Sequence, residues 1–551
     1  WSVELPAAAP VALEGPSAAS GWQTAIALSP GGDRLAYVAP GSGTTVLAVR
    51  SLENDSVVTL PGTDGAYHPF FSPDGAWIGF FAGNLLRKVP AQGGPPVTLA
   101  QVDHISGAAW ASNERIVVFE RQGFDLHSVG VAGGQRDTTL HLSTQFGTPD
   151  VLPGGDWALG QLGSGQLGLL SLADGKELAI TRRGVLALDS VRQDDLLFGT
   201  SPRWVAGNYI VFGSGDGVLT AMPFDLRRRQ VTGDPMGVLE GMRMEAGFGY
   251  SELAVSREGT LAYVPGQNQL YVTLAFLRPD GGMDTLPIPR GPYTQARISP
   301  DGGRLALQMR KPVGGWQVVL FDLTSGVRQV VEVAGNYRTY PATWLPSGDL
   351  MIGMWDPVQF LFYGVRTLSL GTGKYTDMKL PGASYLNSAP DGRSFVYSDW
   401  RTGDIYIRPL VGDTTSARVP ARGFAASFSP DGRWLAWGGV NGVGVSPVPA
   451  TGAIHPVAER GEMPLWTPRG DAIIYRSGPR YYRVPVTTAG GFRAGRPVVL
   501  AEGPFLETFA WTHSMSPDGR LLVMLNSPER QARSLRVITG LPSLLGRLAR
   551  E

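Results

Sequence analysis

The chain has 551 residues, with 47 Lys and Arg balanced by 47 Asp and Glu, and it contains no cysteine. That length exceeds what one hydrophobic core holds and predicts two domains. Balanced charge argues against a general nucleic-acid or anionic-membrane binder, and the missing cysteines exclude a disulfide framework and thiol chemistry.

Near the start, Val3-Glu4-Leu5 or Val11-Ala12-Leu13 reads as a short strand able to complete a ring of sheets by lying beside later strands. From residue 29 onward a turn recurs at a spacing of roughly 37 to 52 residues, the mark of one supersecondary unit copied many times. Clean copies are Ser72-Pro73-Asp74-Gly75, Ser299-Pro300-Asp301-Gly302, Ser429-Pro430-Asp431-Gly432 and Ser516-Pro517-Asp518-Gly519. Worn copies stand at Ser29, Leu152, Ser256, Leu345, Ala389 and Thr467, and the stretches starting at Trp110 and Ser201 keep only the position. Proline pre-sets φ at the second turn position, Asp bonds back to nearby amides, and Gly takes the positive φ.

A short apolar run follows each turn, such as Leu35-Ala36-Tyr37-Val38, Trp77-Ile78-Gly79-Phe80 or Leu521-Leu522-Val523-Met524. These runs are strand-length, and their apolarity on both faces predicts cover from both sides. Further strand–turn–strand patterns, as around Thr324-Ser325-Gly326, bring the unit to about four strands, the blade of a β-propeller. The expected fold is all-β: tandem β-propellers, the twelve anchors dividing into two six-bladed rings of four-stranded blades. The expected domains are an N-terminal propeller over 1–275, a C-terminal propeller over 276–540, and a short tail, 541–551, in which Leu544, Leu545 and Leu548 form one helical face.

The sequence contains no Gly-x-Ser-x-Gly elbow and no kinase triplet, and Gly371-Thr372-Gly373-Lys374 reads as a hairpin turn rather than a phosphate loop. The six histidines are scattered without zinc spacing, and the repeated aspartates each serve their own turn rather than a calcium site. No enzyme activity, metal or cofactor is therefore expected. The Arg227-Arg228-Arg229 run reads as a solvated hairpin edge. Aromatics do gather just ahead of the turns: Tyr67, Tyr293, Tyr340, Tyr385 and Phe424, with His68 beside the first. The strand ahead of the turn would be the innermost of its blade, so these six residues are the candidate ligand- or partner-binding set at the channel mouths. Packing between blades is the competing role for the same rings.

The Ser-Pro-Asp-Gly turn followed by an apolar strand resembles the TolB-like propeller repeats of bacteria. Gly62 to Gly75, Gly217 to Pro235, Ser256 to Val264 and Phe428 to Trp437 extend the likeness toward the C-terminal propeller region of bacterial transmembrane serine/threonine kinases. The resemblance implies an extracytoplasmic, periplasmic module that senses or binds a protein, joined through an upstream anchor or a partner. The usual Asn-Trp and Glu-Leu tail of such kinases is replaced here by Thr539-Gly540-Leu541-Pro542. Two other roles go with the same repeats: an accessory subunit docked on the periplasmic side of a membrane complex, and the propeller part of a prolyl-peptidase-like enzyme. No run approaches the ~18 apolar residues of a membrane helix, so any anchor is expected upstream of Trp1 or on a partner.

Overall fold

The computed structural model describes residues 1–550 except 14–23, 103–104, 121–122, 134–136, 138, 164, 182–183, 189–196, 215–216, 245–250, 267–270, 312–315, 332–337, 357–360, 413, 440–441, 507–510 and 527–530. His104 lies outside the described residues. Among the described residues there is one α-helix, Leu541–Leu548, and all other named elements are strands.

The repeated turn has the chemistry its residues imply. At Ser299 the hydroxyl donates to the Asp301 carboxylate at 2.5 Å and accepts from the Arg304 N–H at 2.9 Å. Asp301 also accepts from the Gly303 N–H, and Gly302 takes φ 75° while its N–H donates to the Ser299 carbonyl. The same bonds recur around Ser72 and Ser429. Where the Asp is lost from the third position, one further along takes over: Asp33 bonds Ser29, and Asp471 bonds Thr467. In the fifth unit the turn falls at 206–208, while Ser201-Pro202-Arg203-Trp204 lies inside the strand Thr200–Val205. That anchor was displaced because Val205-Ala206-Gly207-Asn208 carries neither Ser nor Pro.

The strands form antiparallel sheets of four or five. Residues 26–59, 66–101, 107–141, 146–187 and 200–239 each build one sheet from consecutive strands. The sixth is composite: Leu253–Val255 pairs Leu261–Tyr263, which pairs Ser534–Ile538, which pairs Ser2–Glu4. The seventh is composite too, with Thr273–Leu277 set between Met283–Thr285 and Leu521–Leu525, and His513–Met515 beyond. Residues 293–331, 338–379, 383–422, 424–458 and 462–502 build the remaining five. Val11–Ala12 adds a small ladder with Gln531–Ala532.

Second strands are buried on both faces because neighbouring sheets cover them. Leu35, Ala36 and Tyr37 are fully buried, and one cluster joins Phe81 and Leu86 of the second sheet to Trp110, Ile116 and Val118 of the third. First strands run side by side, from Ile26–Leu28 through Ala66–Phe71, Gly107–Ser112, Phe146–Val151 and Thr200–Val205 to Leu253–Val255, which lies against Ile26–Leu28 again. The second series runs likewise from Tyr293–Ile298 through Arg338–Trp344, Ala383–Ser388, Phe424–Phe428 and Glu462–Trp466 to His513–Met515, which returns to Tyr293–Ile298.

The tail is helical over Leu541–Leu548, opened by Gly540 at φ 66° and Pro542 in the first turn. Its buried residues are Leu541 and Leu545, packed on Val205, Val211 and Leu261, whereas Leu544 and Leu548 are only half-buried.

Leu535 is fully buried among Val3, Tyr37 and Ala262, residues more than 250 positions away in sequence. Leu535→Ala is therefore expected to cost about 2–5 kcal/mol in urea unfolding. A loss below roughly 0.5 kcal/mol, the range of surface changes, would show that this strand does not close the sixth sheet.

Candidate functional site

The inner strands share a local distortion. In six sheets the residue four positions ahead of the turn is a non-glycine with φ near +50°: His68, Thr148, Ser201, Tyr385, Ala425 and Met463. At each the pairing register between first and second strand slips. Such a backbone costs of order 1–3 kcal/mol and often marks a functional site, but recurrence at one position in six sheets makes it part of the blade pattern. Four of these residues precede a proline (Pro69, Pro149, Pro202, Pro464), which has no N–H to leave unpaired where the ladder slips.

Beyond the slip, side chains of one sheet bond the inner strand of the next. Asp150 accepts from the Trp204 N–H at 2.8 Å, Thr343 from Ser388, and Ser514 from Ile298. Gln161 and Gln308, at equal distance past their turns, donate to the carbonyls of Gly199 and Thr339.

In the second series this region gathers charge. Arg297, only 4% exposed, donates through Nε to the Ala342 carbonyl at 3.1 Å and through Nη2 to the Leu386 carbonyl at 2.9 Å. Those carbonyls belong to the next sheet and the one after it. Its guanidinium also lies 4.0 Å from the centre of the Trp511 ring, contributed by the segment ahead of His513–Met515. A side chain touching four sheets sits where their inner strands converge. Burial pulls Arg297 down to about 9, so it is still a cation at neutral pH, and no carboxylate of the described residues pairs with it.

His513 is fully buried, and its Nε2 lies 2.8 Å from the Met463 carbonyl, which makes Nε2 the donor and leaves Nδ1 bare. Burial pulls it down to about 3 against the Met463 bond, with Arg476 and Arg297 adding to the effect. Arg476 is buried as well, but it holds Glu462 at 2.5 Å and the Leu506 carbonyl at 2.6 Å. Burial drives the Tyr340 and Tyr385 hydroxyls well above the usual phenol range, so both are neutral donors. The Tyr340 hydroxyl is within electrostatic reach of Arg297 and has no hydrogen-bond partner.

The sequence-derived residues are placed as follows. Tyr340 and Tyr385 are electrostatic neighbours, and Tyr385 meets Phe424 with ring centroids 5.6 Å apart. Tyr293 stands apart, buried against Phe321 with its hydroxyl on the Pro289 carbonyl at 3.2 Å. Tyr67 stacks on Phe81 and donates to the Gly83 carbonyl, and His68 accepts a long bond from the Ala108 N–H. The Tyr340 ring lies directly over Gly353, where an added Cβ would fall 2.0 Å from the ring's Cζ, so the ring is core while the hydroxyl is not satisfied. Sequence reasoning passed over Arg297, Glu462, Arg476 and Trp511. An available signal was a lone Arg in the apolar strand Gln295-Ala296-Arg297-Ile298 just ahead of a clean turn.

Among the described residues these groups assemble no nucleophile–base pair. The free nitrogens of His68 and His513 meet no hydroxyl or carboxylate, and no group of three metal-ligating side chains is assembled among the described residues. No helix of the described residues is long and apolar enough to cross a membrane.

No protein-family model matches the chain, and no curated protein matches it. Among solved structures it is similar to a protein described as TolB from Agrobacterium tumefaciens, with 17% identity and a TM-score of 0.36, covering 47% of this chain and 99% of that one. It is similar to TolB from Acinetobacter baumannii at 17% identity and a TM-score of 0.31, covering 61% of this chain and 81% of that one. The tricorn protease matches at 12% identity and a TM-score of 0.31, over 86% of this chain and 58% of that one. At these values the likeness assigns neither a family nor a function.

Both buried imidazoles resist protonation in the fold, at about 4 for His68 and about 3 for His513, against about 6.5 in an unfolded chain. Between those values the unfolded state binds more protons, so stability falls as pH drops from about 6.5, by at most ~1.4 kcal/mol per pH unit per histidine. His513→Gln, which can still donate to Met463, is expected to flatten this slope in urea titrations at pH 7 and pH 5. An unchanged slope would mean that His513 is solvated in the fold.

Proposed function

We propose that the chain is a non-catalytic binding module made of two six-bladed β-propellers, acting outside the cytoplasm on a protein or small-molecule ligand. The carrying observation is the meeting of inner strands from four sheets around Arg297, Tyr340, Trp511 and His513 without a nucleophile–base pair. The return of each series of first strands to its own start supports ring closure. The extracytoplasmic setting follows from the Ser-Pro-Asp-Gly resemblance, and attachment to a kinase domain upstream of Trp1 is carried by that resemblance alone.

Strand pairing refines the domain limits in this proposal. The first propeller takes residues 1–266 together with 531–551, and the second, 271–526, is inserted between its last two inner strands and its closing strand. A polypeptide of residues 271–526 is then expected to fold cooperatively by itself. Residues 1–266 should do so only when 531–551 are supplied.

Two outcomes test the function. Peptidase, esterase and phosphotransferase assays are expected to give no turnover above background, and hydrolysis abolished by one substitution such as His513→Gln would overturn the reading. The native chain, cross-linked in its own cells and then reconstituted with the purified partner, should form a stoichiometric complex.

A further inference from the structure

Arg297 is set apart from Arg50, Arg203 and Arg476 by what it lacks. Arg50 and Arg476, equally buried, hold Asp55 at 2.6 Å and Glu462 at 2.5 Å. Arg203 occupies the same position as Arg297, two residues ahead of its turn, in the first series. There Asp150, from the neighbouring inner strand, supplies the opposite charge and also bridges Arg257 at 3.3 Å. Arg297 meets two carbonyl dipoles and the face of Trp511, and the rest of its N–H groups bond nothing among the described residues.

The surroundings add donors rather than an acceptor. The Tyr340 hydroxyl, on a residue 7% exposed, and the Trp511 Nε1, on one 2% exposed, are both unpartnered. Glu462, whose field reaches the neighbouring Tyr385, is committed to Arg476. Nearby His513 is neutral, so among the described residues the local balance is one positive charge in excess.

Resting on the binding reading above, we propose that the centre of the second propeller is a carboxylate-binding site, in which Arg297 and the Tyr340 hydroxyl receive one carboxylate of the ligand. A planar guanidinium fork matches a carboxylate's two oxygens, and a hydroxyl beside it supplies a third donor. One unpaired cation suits a monoanionic group: a phosphate dianion would bring a second negative charge with no cation left to meet it. Both a free organic acid and the C-terminus of a protein partner present this chemistry.

Calorimetry on the full chain tests it with succinate, benzoate, and a short peptide carrying either a free or an amidated C-terminus. Binding of a carboxylate probe is expected, and Arg297→Met should abolish it. Tyr340→Phe, which keeps the ring over Gly353 and therefore the fold, should weaken it roughly tenfold, the worth of one charge-assisted hydrogen bond. Preference for the free peptide over its amide identifies a protein C-terminus as the source, and preference for the small acids identifies a metabolite. Absence of binding by every carboxylate would overturn the proposal. So would equal affinity in Tyr340→Phe and wild type, or binding of inorganic phosphate as tight as that of the carboxylates. A chain that binds its partner but no carboxylate refutes this site alone, whereas turnover refutes the binding function beneath it.

Discussion

The structure depends on hydrogen bonds that cross from the inner strand of one sheet to that of the next. Within ten of the twelve sheets every ladder is local, and nothing in those ladders requires the sheets to hold fixed places. The cross-sheet bonds do. Glu252 accepts from the Ala25 N–H at 2.8 Å across 227 residues, and Ser514 accepts from the Ile298 N–H at 3.2 Å across 216 residues. Each joins the last inner strand of a series to its first. The register slip four residues before the turn serves the same end, because it turns side chains out of their own ladder toward the neighbouring strand. A left-handed non-glycine backbone repeated six times is tolerable only if the surrounding bonds determine it.

What was legible in the sequence was chemistry that closes over a few residues. The Ser-Pro-Asp-Gly turn bonds within itself, so its residues announce it, and the apolar run after it announces a strand covered on both faces. One N-terminal strand lying beside later ones was readable, with two segments to choose from, and both pair: Ser2–Glu4 with Ser534–Ile538 and Val11–Ala12 with Gln531–Ala532. The partners of Thr273–Leu277 were not readable. It pairs with Leu521–Leu525 across almost the whole second series, and no local property of either strand encodes that choice. The turn after Val205 was missed for the opposite reason, since there the blade supplies the bend without the residues that normally signal it.

The candidate site shows the same division at the level of atoms. Aromatics ahead of the turns are periodic and therefore conspicuous, but periodicity reports the repeat, and the repeat needs rings to fill the space above glycines such as Gly353 and Gly79. A side chain that departs from the repeat is the better indicator of function. Arg297 departs from it: the equivalent residues in its own series are Thr343, Asn387, Ser427, Leu465 and Ser514. Tyr340 belongs to both classes, its ring to the core and its hydroxyl to the charge beside it.

The two series also solve one electrostatic problem differently. Burying an arginine without a partner costs several kcal/mol, and nature commonly removes the cost with a carboxylate in the same shell. The first series does so at Arg203 by placing Asp150 on the adjacent inner strand. In the second series the inner-strand neighbours at that position are Thr343 and Ser514, which bond the Ser388 and Ile298 amides and carry no charge. The cation is held in place by carbonyls and by Trp511, geometry that fixes its direction without neutralising it. His513 then has to stay neutral, because a proton there would add to the fields of Arg297 and Arg476 in a region that water cannot screen. Stability forgone at one buried position, with its neighbours arranged to preserve rather than cancel the charge, is the expected signature of a group kept ready for an incoming anion.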